Sequence, residues 1–107
     1  MENVNQAFTT GIWNVQKGKE QEFIKEWNEF AQWSNSIDHG AGRLLQDTEN
    51  PQKFVSVGKW SSVDVIQKWR ERAEFKEAMA RISNLLTEPV KPHTMKEVAS
   101  VGETVAV

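Results

Sequence analysis

Residues 53–64 read KFVSVGKWSSVD, and this stretch decides the fold. An apolar, β-prone run ends in Trp60. Ser61-Ser62-Val63-Asp64 then has the composition of a helix start, in which a hydroxyl and an acid three residues on satisfy free backbone N–H groups. A large flat aromatic with one N–H donor therefore sits at a strand-to-helix corner. Such corners border clefts in two-layer folds. Two readings follow: Trp60 lines a cleft, or it plugs the core at the end of a sheet.

The rest of the chain arranges itself around this corner. Residues 6–15 (QAFTTGIWNV) are β-branched and aromatic and predict a strand. Lys17-Gly18 is a turn. Residues 19–37 follow at helical spacing, with Phe23, Trp27, Phe30 and Ser34 on one face. Residues 35–42 (NSIDHGAG) read as a loop, 43–48 as a short strand, and 49–52 as a turn. Beyond the corner, residues 62–71 and 73–87 predict two helical pieces, stopped by Pro89. Residues 90–99 predict a fourth strand, with Pro92 marking an edge or a bulge. Residues 101–107 form a β-prone tail. The order strand, helix, strand, strand, helix, strand is the α+β, ferredoxin-like βαββαβ plan, a sheet with helices on one face. At 107 residues, the chain reads as one domain, with a core from about 7 to 99 and a tail from 100.

Composition narrows function. The chain has no cysteine, which excludes disulfides, thiolate metal sites and cysteine nucleophiles. Its two histidines, His39 and His93, lack metal-ligand spacing, so no metal site is expected. A net charge of −2 without a basic block argues against nucleic acid. No apolar run nears the ~18 residues of a membrane span, and MENVNQAFTT has no apolar signal core. A soluble cytoplasmic protein is the expectation. Five Trp and five Phe stand beside no Tyr, so phenolic acid–base chemistry is excluded.

Parity along the strands is more specific. Thr9, Gly11, Trp13 and Val15 share a face of strand one; Phe54, Ser56, Gly58 and Trp60 share a face of strand three. Neither strand has a cleanly polar face, so both faces of the sheet should be covered. Helices cover one, and a second copy of the chain is the expected cover for the other. Gly11 and Gly58 leave room beneath the helices. The expected pocket is lined by Thr9, Trp13, Ser56 and Trp60 and roofed by Phe23, Trp27 and Met79; the alternative is that Trp rings fill the gap. Trp60, as an N–H donor, and His93 are the candidate catalytic residues. Arg43 and Arg81 are candidate holders of an anionic substrate, while the charges of residues 68–77 read as a solvated helix face.

FTTGIWNVQKGKEQEF, the HGAG loop, LLQDTENPQKFVSVGKWSS and WRERAEFKEAMARI together resemble antibiotic biosynthesis monooxygenase domains. The likeness implies a dimeric α/β barrel of ferredoxin-like protomers. It also implies oxidation of a small aromatic (a quinol, phenol or polyketide-like compound) with O₂ and no cofactor. Haem-degrading members use an Asn on strand one, a Trp ending strand three and a helix His. Here Trp60 matches the Trp, but Gly11 stands at the Asn position and Met79 or Arg81 at that of the His, so haem degradation is not implied. A dimeric small-molecule-binding or stress-associated protein without turnover is the alternative.

Overall fold

The computed structural model describes residues 6–102. Its elements run β1 (Ala7–Asn14), α1 (Glu20–Asp38), β2 (Ala41–Gln46), β3 (Lys53–Trp60), α2 (Val63–Glu71), α3 (Ala73–Ser83) and β4 (Lys91–Met95). The four strands form one antiparallel sheet in the order β2-β3-β1-β4. This is the expected α+β, ferredoxin-like arrangement. The strand ending in Trp60 is central, and the strand holding Pro92 is at an edge. Among the described residues no helix is long and apolar enough to cross a membrane.

Local chemistry explains the boundaries. Gly18 takes a φ of 90°, as the Lys17-Gly18 turn requires. Ser62, rather than Ser61, caps α2, its hydroxyl accepting from the Val65 N–H at 3.2 Å. The α1 helix, expected to run to about residue 37, ends at Asp38, so residues 35–37, where the helix and loop readings overlapped, are helical. His39, at φ 59°, takes the left-handed position that ends it, and its N–H donates to the Asn35 carbonyl. Asn35 also donates to the Gly40 carbonyl at 3.0 Å, so this turn former braces the helix end. Gly42, read as loop, lies inside β2, where a Cβ would stand 3.0 Å from the Val57 carbonyl oxygen. The α3 helix stops at Ser83, short of residue 87, because Leu86 forms a bridge with Val15 and the Thr87 N–H donates to the Asn14 carbonyl. The β4 strand ends at Met95, opposite Phe8, near where β1 begins. Residues 101–102 of the expected tail are outside any strand, and residues 103–107 lie outside the described residues.

The core lies between sheet and helices. Phe23 is fully buried between Trp13 and Phe54, with ring centroids 5.4 and 4.9 Å away. A second aromatic cluster joins Trp60, Trp69, Phe75 and Phe30. The opposite face of the sheet carries Phe8 and Ile12 on β1, Val55 and Val57 on β3, Leu45 on β2 and Met95 on β4. Leu45 is 54% and Met95 46% exposed.

The end of α1 is tied to the α2–α3 junction by a bidentate pair. Arg72 donates from Nε and Nη2 to both Asp38 oxygens at 2.9 Å, and the Asp38 side chain is only 9% exposed. The Arg72 hydrogen bond holds the Asp38 carboxyl below its ordinary value. The contribution of this pair to stability is therefore complete above the unfolded carboxyl value of about 4 and is lost as pH falls through the lower folded value. Urea unfolding at stepped pH should show this acid-side loss, and Arg72→Gln should flatten it.

Candidate active site

Both central strands carry the same five-residue pattern on the face beneath the helices. Thr9-Thr10-Gly11-Ile12-Trp13 and Ser56-Val57-Gly58-Lys59-Trp60 each read hydroxyl, any, glycine, any, tryptophan. The register pairs Thr10 with Val57, Thr9 with Gly58, and Gly11 with Ser56. A local twofold relation through the Thr10–Val57 pair therefore exchanges the two motifs. Each Trp lies beside the hydroxyl of the other strand. Trp13 Nε1 donates to Ser56 Oγ at 2.9 Å, and Trp60 Nε1 donates to Thr9 Oγ1 at 3.0 Å.

The glycines make this possible. A Cβ on Gly58 would stand 2.6 Å from Thr9 Oγ1 and 3.0 Å from Trp60 Nε1. One on Gly11 would stand 3.0 Å from both Ser56 Oγ and Trp13 Nε1. Gly40 performs the same service for the Trp60 ring, since a Cβ there would come within 2.5 Å of it. On its other side Trp60 meets Trp69 at 4.4 Å between centroids. Trp69 is anchored in turn: its Nε1 donates to Ser34 Oγ at 2.8 Å, and that hydroxyl donates to the Phe30 carbonyl. Ser34, buried on the apolar face of α1, thus both donates and accepts a hydrogen bond.

Above the two motifs lies a cavity of about 360 Å³ between the sheet and the helices. That is near the lower end of the roughly 300–1,000 Å³ usual for small-molecule pockets. Thr9, Trp13, Ser56, Trp60, Trp27 and Met79 all line it. Two expected residues do not. Phe23 belongs to the closed core beside Trp13 rather than to the roof. His93 pairs with Thr10 on β4, so its side chain lies on the sheet face away from the cavity. Trp60 is a wall, but the structure corrects its expected polar role. Its N–H is already committed to Thr9, and the donor left over is the Thr9 hydroxyl proton. Arg81 pairs with Glu26 at 3.3 Å, and Arg43 lies on β2 opposite Val57, on the face away from the helices. The charged residue that does line the cavity is Arg70, from the stretch expected to be solvated. No Asp, Glu or His is among the described lining residues.

The family model for antibiotic biosynthesis monooxygenases matches residues 10–81. The chain belongs to this family. No curated protein matches the sequence. Among solved structures, SnoaB from Streptomyces nogalater, a cofactor-independent oxygenase, is similar with a TM-score of 0.80 and 14% identity, covering 92% of this chain and 99% of that one. A conserved protein from Methanosarcina mazei Go1 reaches 0.81 at 15% identity, covering 90% and 96%. A protein from Bordetella bronchiseptica, described under the same family name, reaches 0.77 at 23%, covering 89% and 99%. At these identities the likeness is one of fold.

The role of the glycines is measurable. Gly58→Ala should break the Trp60–Thr9 hydrogen bond and cost about 1–3 kcal/mol in urea unfolding. The tryptophan emission should shift in the folded protein.

Proposed function

We propose that this member of the antibiotic biosynthesis monooxygenase family oxidises a small aromatic substrate (a quinol, phenol or polyketide-like compound) with O₂ and without a cofactor. The observation that carries the reading is the pair of hydroxyls at the floor of the Trp-lined cavity, each already accepting from an indole N–H. A hydroxyl that accepts a hydrogen bond becomes a stronger donor. Thr9 and Ser56 can therefore each present a polarised O–H to a substrate oxygen on which negative charge develops. Trp13, Trp27, Trp60 and Met79 supply the flat apolar walls that hold an aromatic body.

The chemistry balances with O₂ as the sole co-reactant. A ring methylene made acidic by a neighbouring carbonyl loses a proton, and the resulting anion passes one electron to O₂. The radical pair combines into a peroxide anion, which takes up one proton, equal to the one lost at the start, to give the hydroperoxide. Loss of water leaves a new carbonyl, so R₂CH₂ and O₂ become R₂C=O and H₂O. The substrate supplies all the electrons, and the protein supplies orientation and a field matched to the anion.

Binding without turnover is the second reading. The observation that favours it is the lack of a carboxylate or imidazole among the described lining residues, which leaves no protein base at the reacting carbon. Oxygen consumption across a panel of anthrones and hydroquinones separates the two. Uptake is expected, and Thr9→Val, which keeps the shape and removes the donor, should lower it about 10²-fold. No uptake above background with any compound would leave only the binding role.

The working unit we propose is a homodimer packed through the uncovered sheet face. Phe8, Ile12, Leu45, Val55, Val57 and Met95 make an apolar surface there with no element of this chain over it among the described residues. Sedimentation at micromolar concentration should give twice the chain mass, and Val57→Asp should give single chains.

A further inference from the structure

Arg70 is the one charged side chain among the described residues that line the cavity. It stands in the last turn of α2, directly after the buried Trp69, and is itself partly buried. Its Nη1 donates to Thr94 Oγ1 at 2.9 Å. Thr94 on β4 is the cross-strand partner of Thr9 on β1. The row across the sheet at this level is Gly42, Gly58, Thr9 and Thr94. The hydroxyl that the guanidinium holds thus stands on the strand beside Thr9, one strand spacing, ~5 Å, from it.

Four other cations among the described residues have carboxylate partners: Arg72 has Asp38, Arg81 has Glu26, Lys91 has Glu88 and Lys19 has Glu22. No carboxylate pairs with Arg70 among the described residues. Burial pushes its guanidinium below the usual value, with no acid nearby to offset the loss of water. Thr94 occupies one of five N–H donors, so four remain for a ligand.

We propose that Arg70 and the Thr9 hydroxyl form an anion site at the edge of the cavity, so that the protein selects aromatic molecules carrying an acidic group, a carboxylate or an ionised phenol. This rests on the reading of the cavity as a site for a small aromatic. It also answers the want of a base. A phenol that arrives ionised already carries the electron density that passes to O₂ and needs no carboxylate or imidazole from the protein, whereas a carboxylate group serves only to hold the ligand; Arg70 and Thr9 bind either charge. Arg70 is thereby a specificity-determining residue, and Trp60 acts on the anion through Thr9.

Calorimetric titration with naphthoate and naphthamide, alike in shape and different in charge, tests this. Naphthoate should bind the wild-type protein at least about tenfold more tightly, the size of one charge-assisted hydrogen bond. Arg70→Gln should abolish that preference by weakening naphthoate at least about tenfold more than naphthamide. Arg70→Lys, which keeps the charge without the planar fork, should retain part of it. Equal affinities in the wild type, or equal weakening of both ligands by Arg70→Gln, would overturn the proposal. If neither ligand binds, the aromatic-cavity reading falls and the anion site falls with it. If the preference holds while no compound consumes oxygen, only the oxidation reading falls.

Discussion

Two indole-to-hydroxyl hydrogen bonds across the central strand pair set the geometry of everything around them. The indole nitrogens of Trp13 and Trp60 come close over Gly11 and Gly58, where a Cβ would stand 3.0 Å from each. Their rings reach the neighbouring strand only because the antiparallel register places Ser56 and Thr9 there. The cavity is the volume that two glycines leave open and two anchored rings decline to fill. Even Gly40, at the distant end of α1, answers to this arrangement through its contact with Trp60. The helices then close over a floor whose shape β1 and β3 have already determined.

A bare indole N–H facing an apolar cavity would be unsatisfied whenever the cavity is empty, at a cost of about 1–3 kcal/mol. Handing each N–H to a hydroxyl removes that cost. The hydroxyl keeps a rotatable proton, which can turn toward a ligand or toward water. The site is thereby compatible with both the empty and the filled protein, while the rings stay fixed.

Much of the floor was legible in the sequence because strands have a strict period of two. Parity put Thr9, Gly11 and Trp13 on one face of β1 and Ser56, Gly58 and Trp60 on one face of β3, the fold set the two strands side by side, and all six line the cavity. The repeated hydroxyl-x-Gly-x-Trp pattern was also there to be read, and it was the signal that joined each Trp to a hydroxyl rather than to a ligand. Helical contributions were harder. Phe23 and Trp27 share a stripe of α1, yet one is sealed against Phe54 and the other faces the cavity, a difference set by where α1 crosses the sheet. Residues 35–37 answered to both a helix and a loop reading because Asn and Ser favour turns in isolation, and the Arg72 grip on Asp38 and the His39 cap carry the helix through them. His93 failed as a neighbour of Trp60 for a reason parity contains. It stands opposite Thr10 and not Thr9, and that one-residue offset in β4 register cannot be read from local sequence.

The same offset explains Arg70. Because Thr94, not His93, shares the face and the row of Thr9, the last turn of α2 can reach down to β4 and find a hydroxyl. Charge alternation along residues 68–77 concealed this, since an Arg beside Lys68 and Glu71 looks solvated in a one-dimensional pattern. The helix phase decides otherwise: Ile66 and Trp69 are buried, and Arg70 borders that buried face. A guanidinium held there loses water on the side of the protein and gains a single neutral hydroxyl in return. An arrangement of that kind is favourable in a binding site, where the missing counter-charge arrives with the ligand, and is poorly suited to one that serves stability alone.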